Sequence, residues 1–81
     1  MRVEVRLFAT LERFLPPDSR DGVAVLNVPD GSTAADVARG LGIPAGFDRV
    51  LLVNGREAEP ERTLASGDVL DLYPPLAGGS R

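Results

Sequence analysis

Only one stretch of this chain carries a helical apolar stripe longer than one or two turns, and most other patterned stretches are strand-like. Ala34, Val37, Ala38 and Leu41 recur at i, i+3, i+4 and i+7, the spacing that lines one face of an α-helix. A single helix of about ten residues cannot cover both faces of a sheet. Any sheet built by the remaining segments must therefore curl around this helix and bury one face against it.

The strand segments are short and well punctuated. Arg2-Val-Glu-Val-Arg-Leu-Phe8 alternates strictly, with Val3, Val5 and Leu7 on one face, the period of a half-buried strand. Leu11, Phe14 and Leu15 fit one or two helical turns, which Pro16-Pro17 stops. Val23 to Val28 is β-branched and predicts a second strand with Leu26 and Val28 inward. Pro29-Asp-Gly31 turns the chain, and Ser32 or Thr33 caps the helix; Asp36, three residues after Thr33, gives a capping-box pattern. Gly42 suits the left-handed position after the helix, and Ile43 folds back onto the core.

Val50-Leu-Leu-Val53 predicts a third strand, buried on more than one side because its apolar run is continuous. Asn54-Gly55 is a strong tight-turn dipeptide, so Arg56 to Ala58 returns as a short strand. Asp68 to Tyr73 alternates again, with Leu70 and Leu72 inward and Val69, Asp71 and Tyr73 outward. Pro74-Pro75 ends the pairing, since proline donates nothing to a ladder. The order ββαβββ predicts an α+β protein: a β-grasp (ubiquitin-like) roll, a mixed sheet of about five strands packed on one main helix. Residues 1–75 form that domain, and 76–81 are expected to be a flexible C-terminal tail. A right-handed crossover from the second strand places the third beyond the first.

Composition excludes several classes of chemistry. The 81 residues contain neither Cys nor His, so neither a thiolate zinc site nor a Ser-His-Asp triad can be built within the chain. All nine basic residues are arginine, which removes Schiff-base chemistry. The net charge of −3 and the lack of a basic cluster argue against nucleic acid as a partner. No apolar run approaches the ~20 residues that span a bilayer, and the start does not resemble a signal peptide. The expectation is a protein of the cytoplasm with no membrane partner. Glu57, Glu59 and Glu61 read as a solvated acidic loop rather than metal ligands, so no metal site is expected.

Taken together, Asp30-Gly-Ser-Thr33, Val53-Asn54-Gly55 and the closing Leu64…Gly67-Asp68-Val-Leu-Asp-Leu-Tyr-Pro-Pro-Leu-Ala-Gly-Gly79 resemble the MoaD/ThiS family of sulfur carriers over residues 1–79. Within it, Tyr73-Pro74-Pro75 is most similar to the molybdopterin synthase small subunit. The resemblance implies a non-catalytic carrier that binds no cofactor. A ubiquitin-activating-like adenylyltransferase would use ATP to adenylate the Gly79 carboxylate. Sulfur transfer would then yield a thiocarboxylate, and the molybdopterin synthase large subunit would receive the sulfur in molybdenum cofactor biosynthesis.

The tail suits that role physically. A carboxylate that must reach a buried nucleotide has to thread a channel about one backbone wide, and Gly78 and Gly79 carry no side chain to obstruct it. Ala77 is small, Leu76 is an apolar anchor, and Pro74-Pro75 stiffens the root toward polyproline II geometry. Tyr73, Val69 and the outer sheet face are candidates for a partner-binding patch. The family pattern ends at the second glycine, whereas Ser80-Arg81 follow here. Either a processing protease removes them, or they are a remnant of cloning, or carrier chemistry has been lost. Other readings are a carrier of sulfur for thiamine or another metabolite, and a non-catalytic ubiquitin-like interaction module.

Overall fold

The computed structural model describes residues 1–44 and 50–74. Five strands run in the chain order β1 (Arg2–Leu7), β2 (Val23–Asn27), β3 (Val50–Val53), β4 (Arg56–Glu57) and β5 (Val69–Tyr73), with one α-helix, α1 (Ala34–Gly40), between β2 and β3. They form one mixed sheet in the spatial order β2-β1-β5-β3-β4. β1 and β5 are parallel neighbours at its centre, in the register Glu4↔Val69 to Leu7↔Leu72. The remaining pairs are antiparallel. This is the β-grasp roll expected from the pattern. β3 lies beyond β1 from β2, as the crossover rule requires, with β5 inserted between.

One face of the sheet and one face of the helix make the core. Val3, Val5 and Leu7 of β1, Leu70 and Leu72 of β5, and Leu51 and Val53 of β3 pack with Ala34, Val37 and Ala38 of α1. Period two on the strands and 3.6 on the helix bring these groups to one layer. Leu26 and Val28 sit partly buried at its margin, facing inward as expected, while Ala24 is the fully buried residue of β2. The turns after Phe8 are a 3-10 helix, Ala9–Phe14, whose Leu11 reaches the core. β3 departs from expectation: Leu51 and Val53 are buried, but Val50 is 37% exposed. Its apolar run marks a strand covered on one face only, with two apolar residues left on the other.

Both ends of α1 are closed. The Asp36 N–H donates to Thr33 Oγ1 at 3.1 Å, and the Thr33 N–H donates to Asp36 Oδ2 at 3.0 Å. The Ala34 and Ala35 N–H groups donate to the carbonyls of Arg62 and Pro60, at 3.0 and 2.8 Å. The helix N-terminus is thereby tied to the segment before β5. At the other end Gly42 adopts φ +91. Its N–H donates to Arg39 O, and the Ile43 N–H donates to Ala38 O, at 3.0 and 3.1 Å, a Schellman closure that turns Ile43 into the core.

Candidate functional site

β5 is the central strand, and its C-terminal end is the root of the Gly-Gly segment. The Phe8 N–H donates to Leu72 O at 3.1 Å, continuing the β1–β5 pairing one residue past β1. This sets the Phe8 ring beside Tyr73. The two rings stack with centroids 4.2 Å apart and planes within 6°. On the other side of Tyr73, the register pairs it with the exposed Val50. Val69 lies on the same outer face, opposite Glu4. Pro74 is half-buried directly after Tyr73.

Between Val69 and Tyr73 sits Asp71, outward as the alternation predicts. Asp71 is on the outer face, yet only 3% exposed. Arg6, its partner in the parallel register, lies over it and donates from Nε to Oδ1 at 2.6 Å and from Nη2 to Oδ2 at 2.8 Å. The hydrogen bond to Asp71, then its charge, raises the Arg6 guanidinium pKa above its ordinary value. Leu52 flanks Asp71 from β3. The outer face thus presents the half-buried Val69, Leu52, Phe8 and Tyr73 around one internally neutralised ion pair.

Of the residues singled out from sequence, Tyr73, Pro74 and Val69 come together on this face. Pro75, Leu76, Ala77, Gly78 and Gly79 lie outside the described residues. Sequence reasoning missed Phe8 and the Arg6–Asp71 pair. Phe8 was visible only as the last residue of the alternating Arg2–Phe8 stretch, and the pairing of residues so distant in sequence had no local signal. Among the described residues, no group of three or more Asp or Glu side chains could hold a metal ion. No described helix is long and apolar enough to cross a membrane. What this face offers is contact: stacked aromatics, aliphatic groups and a fixed guanidinium, the chemistry of protein recognition.

The sheet order, the crossing helix and the parallel central pair define a ubiquitin-like β-grasp protein. More narrowly, the chain belongs to the Mut7-C ubiquitin family, whose model matches residues 1–78. No curated protein matches it. Among solved structures it is similar to SAMP1 of Haloferax volcanii, with 28% identity, a TM-score of 0.72, and coverage of 98% of this chain and 100% of that one. It is also similar to the Haloferax volcanii HVO 2177 protein, at 29% identity and TM-score 0.77, covering 98% and 87% of the two chains. The fold is shared with a chain in the complex of subunits 1 and 2 of the molybdopterin-converting factor from Helicobacter pylori, at 21% identity and TM-score 0.61 over 98% and 100%. The likeness to MoaD-type proteins read from the sequence is thereby borne out.

Proposed function

We propose that the chain is a sulfur carrier that acts through the carboxylate of Gly79, with molybdopterin biosynthesis as the destination of the sulfur. The observation that carries this reading is the sequence Pro74-Pro75-Leu76-Ala77-Gly78-Gly79, which follows the central strand in the chain, together with the aromatic and aliphatic face at the described end of that strand, suited to a protein partner. Hydrolysis of the Gly79–Ser80 peptide bond by a protease frees the carboxylate. An adenylyltransferase joins it to the α-phosphate of ATP and releases pyrophosphate. A persulfide-type donor then displaces AMP, and reduction of the resulting acyl disulfide by a thiol leaves the thiocarboxylate. This chain supplies no acid or base to those steps. Its parts are the tail, which enters each active site, and the outer face, which docks.

A second reading keeps the activation and changes the acceptor. The likeness to SAMP1, described as a small archaeal modifier protein, exceeds in identity the likeness to the molybdopterin-converting factor chain. In a modifier the activated Gly79 carbonyl is attacked by an amine of another protein. This chain has no lysine, so it would cap its target without forming chains through its own side chains.

Intact-mass spectrometry separates the readings. Protein ending at Gly79 is incubated with ATP, the cognate activating enzyme and a sulfur donor. A gain of about sixteen mass units, the replacement of one oxygen by sulfur, supports the carrier, and a stable complex with a molybdopterin synthase large subunit supports its destination. Amide-linked conjugates in cell extract without the thiocarboxylate support the modifier. Absence of both refutes activation at Gly79.

A further inference from the structure

Strand β2 is an edge, bonded to β1 on one side only. The Val28 N–H donates to Met1 O, and the Leu7 N–H to Gly22 O. With the antiparallel register Arg2↔Asn27 to Arg6↔Val23, this turns the backbone groups of residues 24 and 26 toward β1 and those of 23, 25 and 27 away from it. Val23 exchanges both of its bonds with Arg20, at 3.0 and 2.9 Å, across the Asp21-Gly22 turn. The chain thus begins a sixth strand and then leaves it, because the Ser19 N–H turns back to Pro16 O at 3.0 Å. Among the described residues, the N–H and C=O of Val25 and Asn27 have no partner.

Sheet edges are ordinarily blunted by a charge, a proline or a bulge. Val23 to Asn27 carries none of these, and Val25 is 53% exposed, the most exposed of the large apolar residues described. A depression opens between the Pro16–Arg20 segment and β2, with Ala24 and Leu26 in its lining. Ser19 also lines it, and its Oγ is buried without a hydrogen-bond partner. Unpaired strand groups beside such a depression match an extended backbone.

The surroundings decide what kind of backbone. Glu4 neighbours Val25 on the sheet, and Asp18, Asp21 and Asp30 lie at the two ends of the edge. Arg2, Arg20 and the Met1 ammonium, which pairs with Asp30 Oδ1 at 3.3 Å, are the positive charges there, since Arg6 is engaged by Asp71. The edge is therefore net acidic. A second copy fits poorly: the antiparallel register that bonds Val25 to Asn27 of another copy sets Asp21 near Asp30 of that copy, twice over.

We propose that β2 binds an extended segment of a partner protein by strand addition at Val25 and Asn27, the segment having an apolar centre and basic flanks. This site is independent of Gly79.

The test titrates the ¹⁵N-labelled full chain with the synthetic peptide Lys-Arg-Val-Ile-Val-Ile-Arg-Lys, and separately with the same centre between Glu and Asp flanks. The expected result is amide shifts and slowed hydrogen exchange centred on Val25 and Asn27. The basic peptide is expected to bind about fivefold tighter than the acidic one, the scale of a few rim charges. Methylating alternate peptide nitrogens removes the strand donors and should abolish binding without altering the protein. Val25→Lys should weaken the basic peptide by a similar factor while its spectrum shows the fold kept. No response at Val25 and Asn27 with millimolar peptide overturns the proposal, as does equal affinity for both flanks. Concentration-dependent broadening of the same amides without peptide overturns it in favour of a second copy.

Discussion

Arg6 caps Asp71 across the parallel β1–β5 pair with both carboxylate oxygens engaged, and the two side chains differ sharply in exposure, 43% against 4%. The bidentate geometry fixes the guanidinium in place, and Asp71 has no other side-chain partner among the described residues. Arg6→Met would strand a buried carboxylate, which costs roughly 1–3 kcal/mol. Arg6→Met combined with Asp71→Leu should recover most of that loss, because an apolar pair leaves nothing unsatisfied. Urea unfolding midpoints check both. A double variant no more stable than the single one would show that Asp71 is not the source of the effect.

Asn54 links the β3–β4 turn to the start of β5. Its Nδ2 donates to Asp68 Oδ1 at 2.9 Å, and its Oδ1 accepts from the Val69 N–H at 2.9 Å. Asp68 Oδ2 accepts from the Ala65 N–H at 2.8 Å. The Ala65 N–H first, and Asn54 second, hold the Asp68 carboxyl below its ordinary pKa. A carboxyl depressed by folding binds its proton more readily when unfolded. Its stabilisation is complete above the unfolded value of about 3.9 and is lost as pH falls through the folded value. Asp68→Asn should therefore flatten the fall of unfolding free energy below about pH 4. Asn54→Ala should flatten it in part. Asp36, also lowered, chiefly by the Thr33 backbone N–H, keeps some acid dependence in both variants. Unfolding measured across pH decides this; an unchanged acid limb in Asp68→Asn refutes the assignment.

These two contacts also show how far the sequence could be read. Alternation in β1 and β5, the Thr33–Asp36 box and the Asn54-Gly55 turn are local signals, and each appears where the pattern placed it. Asp71 was read as outward, and it is, but parity reports the face and not what covers it. Its cover, Arg6, arrives only when β1 and β5 pair in register, and nothing near either residue announces that pairing. The same holds for Phe8 and Tyr73. β3 misled for a related reason: Val50 and Leu52 extend an apolar run, yet they belong to the face away from the helix. The Gly78-Gly79 motif was legible as a motif alone, and its role rests on the resemblance rather than on geometry.

The Phe8–Tyr73 stack lies at the C-terminal end of β5 and neither residue belongs to the Gly78-Gly79 motif, so its contribution to docking is separable from chemistry. If this face seats the activating enzyme, truncating a central aromatic should cost about 2 kcal/mol of binding, roughly thirtyfold in affinity. Tyr73→Ser and Phe8→Ser are expected to raise the KM for this chain in adenylation with little change in kcat, the mark of lost binding before the chemical step. Val25→Ser, on the β2 edge, should leave that KM unaltered. Equal KM values for all three variants and the parent would remove the outer face from the proposal.

Gly78→Val isolates the tail from the fold. The core residues described all lie between Val3 and Leu72, so this substitution should leave the thermal midpoint where it is. The threading argument expects a different result for activation. A β-branched side chain at Gly78 widens the segment at the point where it must pass beside the nucleotide, and it stiffens a backbone that glycine leaves free. ATP–pyrophosphate exchange with protein ending at Gly79 should fall by at least a hundredfold, about 2.7 kcal/mol in the transition state, while Leu76→Ala falls less. Exchange at the parent rate would mean that the carboxylate is reached without threading, and the case for Gly78 as the slim neighbour of the reactive residue would fail even if Gly79 itself were activated.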